Sequence, residues 1–145
     1  MSLIAEISRA WGWTGIDPDE VVAENDFGNV IVRATDGRYW RIIPEDGTCC
    51  VVADYRAALD VLLHDQEFLH DWYMRALVAT ARENLGELSS TRKYCLKIPG
   101  YLGGAYGMPN LATAPIHEII GMAGDIARQT HELPDSAKIQ LKVVD

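Results

Sequence analysis

The chain has 145 residues, 48% hydrophobic and 23% charged, and a formal net charge of −8. That length fits one domain able to bury roughly 70% of its unfolded surface, so folding requires neither disulfides nor a metal. No apolar run nears the ~20 residues of a membrane span, and an acidic surface repels nucleic acid and anionic membranes.

Ser2 caps an expected short helix whose apolar face holds Leu3, Ile4, Ile7, Ala10 and Trp11, with Gly12 and Gly15 after it. Asp17-Pro18-Asp19-Glu20 predicts a second helix. Asp17 is its cap, Pro18 its first residue, Glu20 completes a capping box, and Val21, Val22 and Ala23 form its apolar side. Three strands follow as an antiparallel meander over 29–34, 38–44 and 48–53, turning at Asp36-Gly37 and Glu45-Asp46-Gly47. In the middle strand Tyr39, Arg41 and Ile43 oppose Arg38, Trp40 and Ile42.

A helix is expected over 55–63, then a longer one capped by Asp65 and running over 66–85 to a stop at Gly86. A strand over 93–98 leads into a glycine-rich segment. A short strand follows over 111–114. Pro115 opens a last helix carrying Ile116, Ile119, Ile120, Ala123, Ile126 and Ala127. Gly121 and Gly124 inside that helix imply close packing against the sheet. Leu133-Pro134-Asp135 predicts a turn, and 137–143 a final strand. Strands and helices do not alternate. The expected class is α+β, a single domain over 1–145, with an antiparallel or mixed sheet covered by helices mainly on one face.

Chemical motifs are sparse. Cys49, Cys50 and Cys95 show no C-x-x-C spacing and are expected as reduced thiols, mostly buried in strands. The glycines run G-x-x-G-G-x-x-G from Gly100 to Gly107, which matches neither a dinucleotide fingerprint nor a P-loop, and Lys97 is the nearby cation. A structural loop is favoured. A small-molecule or nucleotide-binding module using Gly100–Gly107 is the alternative. His64, His70, His117 and His131 lack metal-site spacing, and no nucleophile motif is present, so neither cofactor, metal nor catalysis is expected. Met1–Trp11 contains Glu6 and Arg9, which is unlike a signal peptide, and a cytoplasmic location is expected. Tyr101 and Tyr106 stand among the glycines either as outward anchors or as rings packed on the sheet edge.

Charge is uneven: residues 1–71 hold 5 basic and 14 acidic side chains, giving −9, and residues 72–145 hold 8 and 7, giving +1. A basic partner suits the first half.

Four stretches then occur in a known order: Gly37-Arg38-Tyr39-Trp40-Arg41-Ile42-Ile43-Pro44-Glu45; Phe68-Leu69-His70-Asp71-Trp72; Tyr94 through Tyr106 with Asn110; and Leu133-Pro134-Asp135. With them the chain resembles the C-terminal domain of immunity proteins that protect bacteria against DNase effectors of the type VI secretion system, formerly a domain of unknown function. The resemblance spans about residues 11–141. Ser136 stands where the family usually has Gly. The resemblance implies a non-catalytic inhibitor that binds a cognate nuclease effector in the cytoplasm and blocks its active site or DNA-binding cleft. Many members carry an extra N-terminal domain, which this chain is expected to lack.

A DNase presents a basic DNA-binding surface, against which inhibitor carboxylates can stand in for phosphates. Complementary charge raises encounter rates towards ~10⁸–10⁹ M⁻¹s⁻¹ at low salt. The residues expected to meet the partner are Asp17, Asp19, Glu20, Glu24, Asp26, Glu45 and Asp46, with Tyr101 and Tyr106 as anchors. No direct contact with nucleic acid or membrane is expected, and no pattern fixes an oligomeric state.

Overall fold

The structure, a computed structural model, describes residues 2–131 and residue 133. Helix α1 (Leu3–Trp11) begins where Ser2 Oγ accepts from the Ala5 amide at 3.0 Å. Ile7, Ala10 and Trp11 are its buried residues, one stripe at helical spacing.

The next segment corrects the expectation. Pro18–Glu24 is a strand, β1, and not a helix. It pairs antiparallel with β2 (Val30–Ala34), from Pro18 opposite Ala34 to Glu24 opposite Val30. The capping signature is sound locally, but Val21-Val22-Ala23 are consecutive and cannot make a helical stripe. As an edge strand the same residues cover β2, and Pro18 in the first position gives up no needed donor.

The meander forms as expected. β3 (Tyr39–Ile43) and β4 (Thr48–Ala53) complete a four-stranded sheet in the order β1-β2-β3-β4. Gly47, with φ 65°, closes the turn before β4 in a conformation that disfavours any side chain.

Helix α2 (Arg56–Leu62) also lies where expected. The long helix expected over 66–85 is two helices, α3 (Gln66–Tyr73) and α4 (Arg75–Leu85), broken at Met74 with φ 49°. Such a conformation in a non-glycine residue costs on the order of 1–3 kcal/mol. The break lets the two helices face different clusters. Trp72 of α3 joins Ile31, Tyr39, Ala53 and Leu59, while Val78 and Ala81 of α4 join Phe27, Tyr94 and Leu111. Asn25 Nδ2 holds the corner by donating to the Trp72 carbonyl at 2.7 Å.

β5 (Arg92–Leu96) and β6 (Leu111–Pro115) pair antiparallel as a separate two-stranded sheet. The Tyr94 amide donates to the Asp26 carbonyl at 2.9 Å and ties this pair to the segment after β1. Helix α5 (Ile116–Thr130) then crosses to α1. Its glycines face that helix rather than the sheet, a second correction. A Cβ on Gly124 would lie 2.5 Å from the Ala10 carbonyl oxygen, and one on Gly121 would overlap Glu6 Oε1. Trp11 Nε1 donates to the Ile120 carbonyl at 2.9 Å across the contact.

The class is α+β. One face of the larger sheet (Val30, Val32, Ala34, Trp40, Ile42) packs on α1 and α5, which supply Ile7, Trp11, Ile116 and Ile120. The shorter α2 and α3 lie over the opposite face. The expected alternation in β3 holds, with Tyr39 and Trp40 in different clusters. Leu133 apart, the turn expected at 133–135 and the strand over 137–143 lie outside the described residues. Among the described residues no helix is long and apolar enough to cross a membrane.

Candidate functional site

The glycine segment 99–110 is a stapled loop. Several of its amides are spent on its own carbonyls: Leu102 and Gly104 donate to Pro99 at 3.0 Å, and Gly103 to Gly100 at 3.1 Å. Asn110 clamps the base. Its Oδ1 accepts from the Ile98 amide at 2.9 Å, and its Nδ2 donates at 2.9 Å to the Ile98 and Ala105 carbonyls. A side chain on Gly104 would overlap the Ile98 carbonyl oxygen. A phosphate cradle needs converging free amides, and this loop has committed these to itself.

Both tyrosines dock on the turn over Pro44–Asp46 and Gly47. Tyr106 Oη donates to Asp46 Oδ1 at 2.8 Å, and its ring lies 2.7 Å from where a Gly100 Cβ would stand. Partial burial and then the adjacent carboxylate hold its phenol above the ordinary range. The Tyr101 ring lies 2.6 Å from where a Gly47 Cβ would stand. The other ring faces remain open, since Tyr101 is 41% and Tyr106 50% exposed, close in sequence to exposed Ile98 and Met108. The tyrosines are thus structural on one side and available on the other.

The acids fall into separate groups. Asp17, Asp19, Glu20 and Glu24 are exposed along the edge strand β1 and just before it, and Asp26 follows that strand. Most have a partner within the chain. Arg33 Nη2 pairs with Asp19 at 2.8 Å and Glu20 at 3.0 Å, Lys93 with Glu24 at 3.4 Å, and Arg82 with Asp26 at 3.9 Å. Asp17 accepts from Thr35 Oγ1 at 2.8 Å. Such surface pairs are weak and exchange readily for other cations. Asp46, in the turn before β4, is bonded to the tyrosine loop instead.

Glu45 corrects the expectation of a surface carboxylate: it is 6% exposed. Asn29 Nδ2 donates to its Oε1 at 2.7 Å and Oε2 at 3.2 Å. Asn29 Oδ1 in turn accepts from Arg41 Nη2 at 2.8 Å, and Arg41 Nη1 donates to Asp71 Oδ2 at 2.7 Å. The guanidinium lies 5.1 Å from the Trp72 ring centroid and 5.6 Å from that of Phe68. Burial pushes the Glu45 carboxyl up to about 7 despite the Asn29 bonds. Sequence reasoning missed this chain of polar contacts. Its signal was the inward register of Arg41, opposite Trp40 and Ile42, where a buried cation demands polar partners.

Glu45 also lines a cavity of about 180 Å³, partly open to solvent, between α5 and the β5–β6 pair. Its walls include Phe27, Leu96, Ile119, Met122, Ala123 and Ile126, with Lys97 and Glu118 among the lining side chains. Cys95 is in the wall as well, and burial raises the Cys95 and Cys49 thiols to about 11. Cys50 is exposed, against the expectation of mostly buried thiols. Among the described residues no group of three or more His, Cys, Asp or Glu side chains is placed to hold a metal ion.

The family model described as "T6SS immunity protein Tdi1, C-terminal" matches residues 53–127. That range runs from the end of β4 into α5, and so contains the glycine loop and most of the cavity wall. It is narrower than the span of about 11–141 expected from the sequence, and β1 and β3 lie outside it. No curated protein matches the chain.

Proposed function

The chain belongs to the type VI secretion immunity family of the Tdi1 C-terminal kind, and on that premise we propose that it neutralises a cognate DNase effector in the cytoplasm of the cell that makes it. The family match over residues 53–127 is the observation that carries the reading. The inhibitor acts by occupancy and not by catalysis: it covers the active site or DNA-binding cleft of the nuclease.

Two surfaces support this mode. The exposed carboxylates of β1 can trade their own arginine and lysine partners for those of a basic cleft, at little cost because exposed pairs are weak. The open faces of Tyr101 and Tyr106 offer rigid aromatic area beside Asp46. The acids speed encounter and the tyrosines slow release.

The test is binding of the cognate nuclease by calorimetry at low and high salt. Combined Asp19→Lys, Glu20→Lys and Glu24→Lys reversal is expected to weaken binding and flatten its salt dependence. Unchanged affinity would remove β1 from the interface. Alanine at both Tyr101 and Tyr106 is expected to raise the dissociation rate.

A further inference from the structure

The cavity between α5 and the β5–β6 pair combines an apolar wall with a buried carboxyl. Its volume of about 180 Å³ is well below the roughly 300–1,000 Å³ of pockets that take drug-sized ligands. It resembles in size an apolar cavity of about 150 Å³ that accepts benzene, a group of six heavy atoms. A single side chain fits and a nucleotide does not. The wall is built by Ile119, Met122, Ala123 and Ile126 of α5 facing Leu96 of β5. Met122 is 54% exposed, so the space can be entered from that side.

Polarity selects the occupant. Glu45 accepts from Asn29 Nδ2 and from its own backbone amide, and a carboxylate has about four acceptor positions. Capacity therefore remains for a further, charged donor. We propose that this cavity receives a lysine side chain of the effector, its methylenes against Ile119, Met122 and Ala123 and its ammonium against the Glu45 carboxylate. The inference rests on the immunity reading for the source of the lysine. It deepens that reading by naming a receptor for a single cation within a largely apolar wall.

The charges around Glu45 set how the site responds. Asp46 follows it in the turn, with Tyr106 bonded to Asp46, and Arg41 reaches it through Asn29. Glu118 of α5 and Lys97 after β5 also line the cavity. Glu118 and Asp46 favour an incoming ammonium, while Lys97 competes with it. Because Glu45 titrates near neutrality, cation binding releases a proton from it, and affinity rises as pH passes from 6 to 8.

The experiment titrates the chain alone with n-butylammonium and with n-butanol, read from backbone amide shifts in nuclear magnetic resonance. The expected result is saturable shifts at 95–97 and 118–123, with the ammonium about tenfold tighter than the alcohol. Glu45→Gln is expected to bring the ammonium down to the alcohol's affinity, and Lys97→Ala, an exposed change, to tighten it. Equal affinity of the two probes would overturn the proposal, as would no saturable binding in both the wild-type chain and Lys97→Ala. A nuclease bound equally well by the wild-type chain and by a folded Glu45→Gln variant would also overturn it, while leaving the immunity reading intact.

Discussion

The Tyr106 hydroxyl donates to Asp46 Oδ1 at 2.8 Å across 60 residues of chain, and so pins the glycine loop to the turn before β4. The loop contributes the ring and the turn contributes the carboxylate. The two segments thereby hold one surface in shape.

Removing that bond is expected to cost stability without unfolding the chain. Tyr106→Phe keeps the ring against Gly100 and loses only the hydroxyl. A net loss of about 1 kcal/mol follows for one hydrogen bond. Urea denaturation measures it. A loss near zero would mean that ring packing alone seats the loop.

Asn110 carries more. Its side chain makes three hydrogen bonds to loop backbone, and Asn110→Ala leaves the Ile98 amide without its acceptor. Hydrogen exchange at the Ile98 amide is expected to accelerate at least about fivefold, since losing even one such bond is worth about 1 kcal/mol or more. Protection retained at the wild-type level would refute the clamp.

Two glycines of α1 and α5, one inside their contact and one at the open end of α1, are expected to respond differently. Gly124→Ala places a Cβ 2.5 Å from the Ala10 carbonyl oxygen, so the helices must part. Overpacking of about 1–3 kcal/mol outweighs the roughly 1 kcal/mol gained in helix propensity. Gly12 has φ −56° and nothing within 4 Å of a Cβ, so Gly12→Ala is expected to be neutral or slightly stabilising. Thermal melts of both variants test the pair.

Glu45 gives stability a definite pH slope. Its folded pKa, about 7, lies above the ordinary value of 4.5, so the folded state holds the proton more tightly. Its contribution to stability is full below about pH 4.5, declines from there to about 7, and is lost above. The shift corresponds to at most roughly 3 kcal/mol. Glu45→Gln cannot ionise, so between pH 5 and 8 its stability is expected to fall less than that of the wild-type chain. Parallel curves in urea denaturation across that range would contradict the assignment.

The sequence foretold what local chemistry decides. Ser2 and Asp65 cap helices, Asp36-Gly37 turns a hairpin, and Gly86 ends α4, each through a short-range preference that tertiary structure leaves alone. It misjudged what distant partners decide. Residues 18–24 carry a helix-start signature and became a strand because β2 needed an edge neighbour. Met74 broke a continuous helical pattern because the residues before and after it belong to different clusters. The surface acids of β1 and Asp26 after it were legible from composition, but their pairing with Arg33, Lys93 and Arg82 was not, since each pair joins separate elements or loops. Glu45 looked like a turn carboxylate, and only the inward Asn29 and Arg41 explain its burial.

The most direct test is a DNA degradation assay with a purified nuclease effector of the type VI secretion system taken as the proposed partner. Added at equal molar ratio, the folded chain is expected to stop digestion while remaining bound to the nuclease. Digestion that continues at the uninhibited rate in the presence of excess folded chain would contradict the central claim.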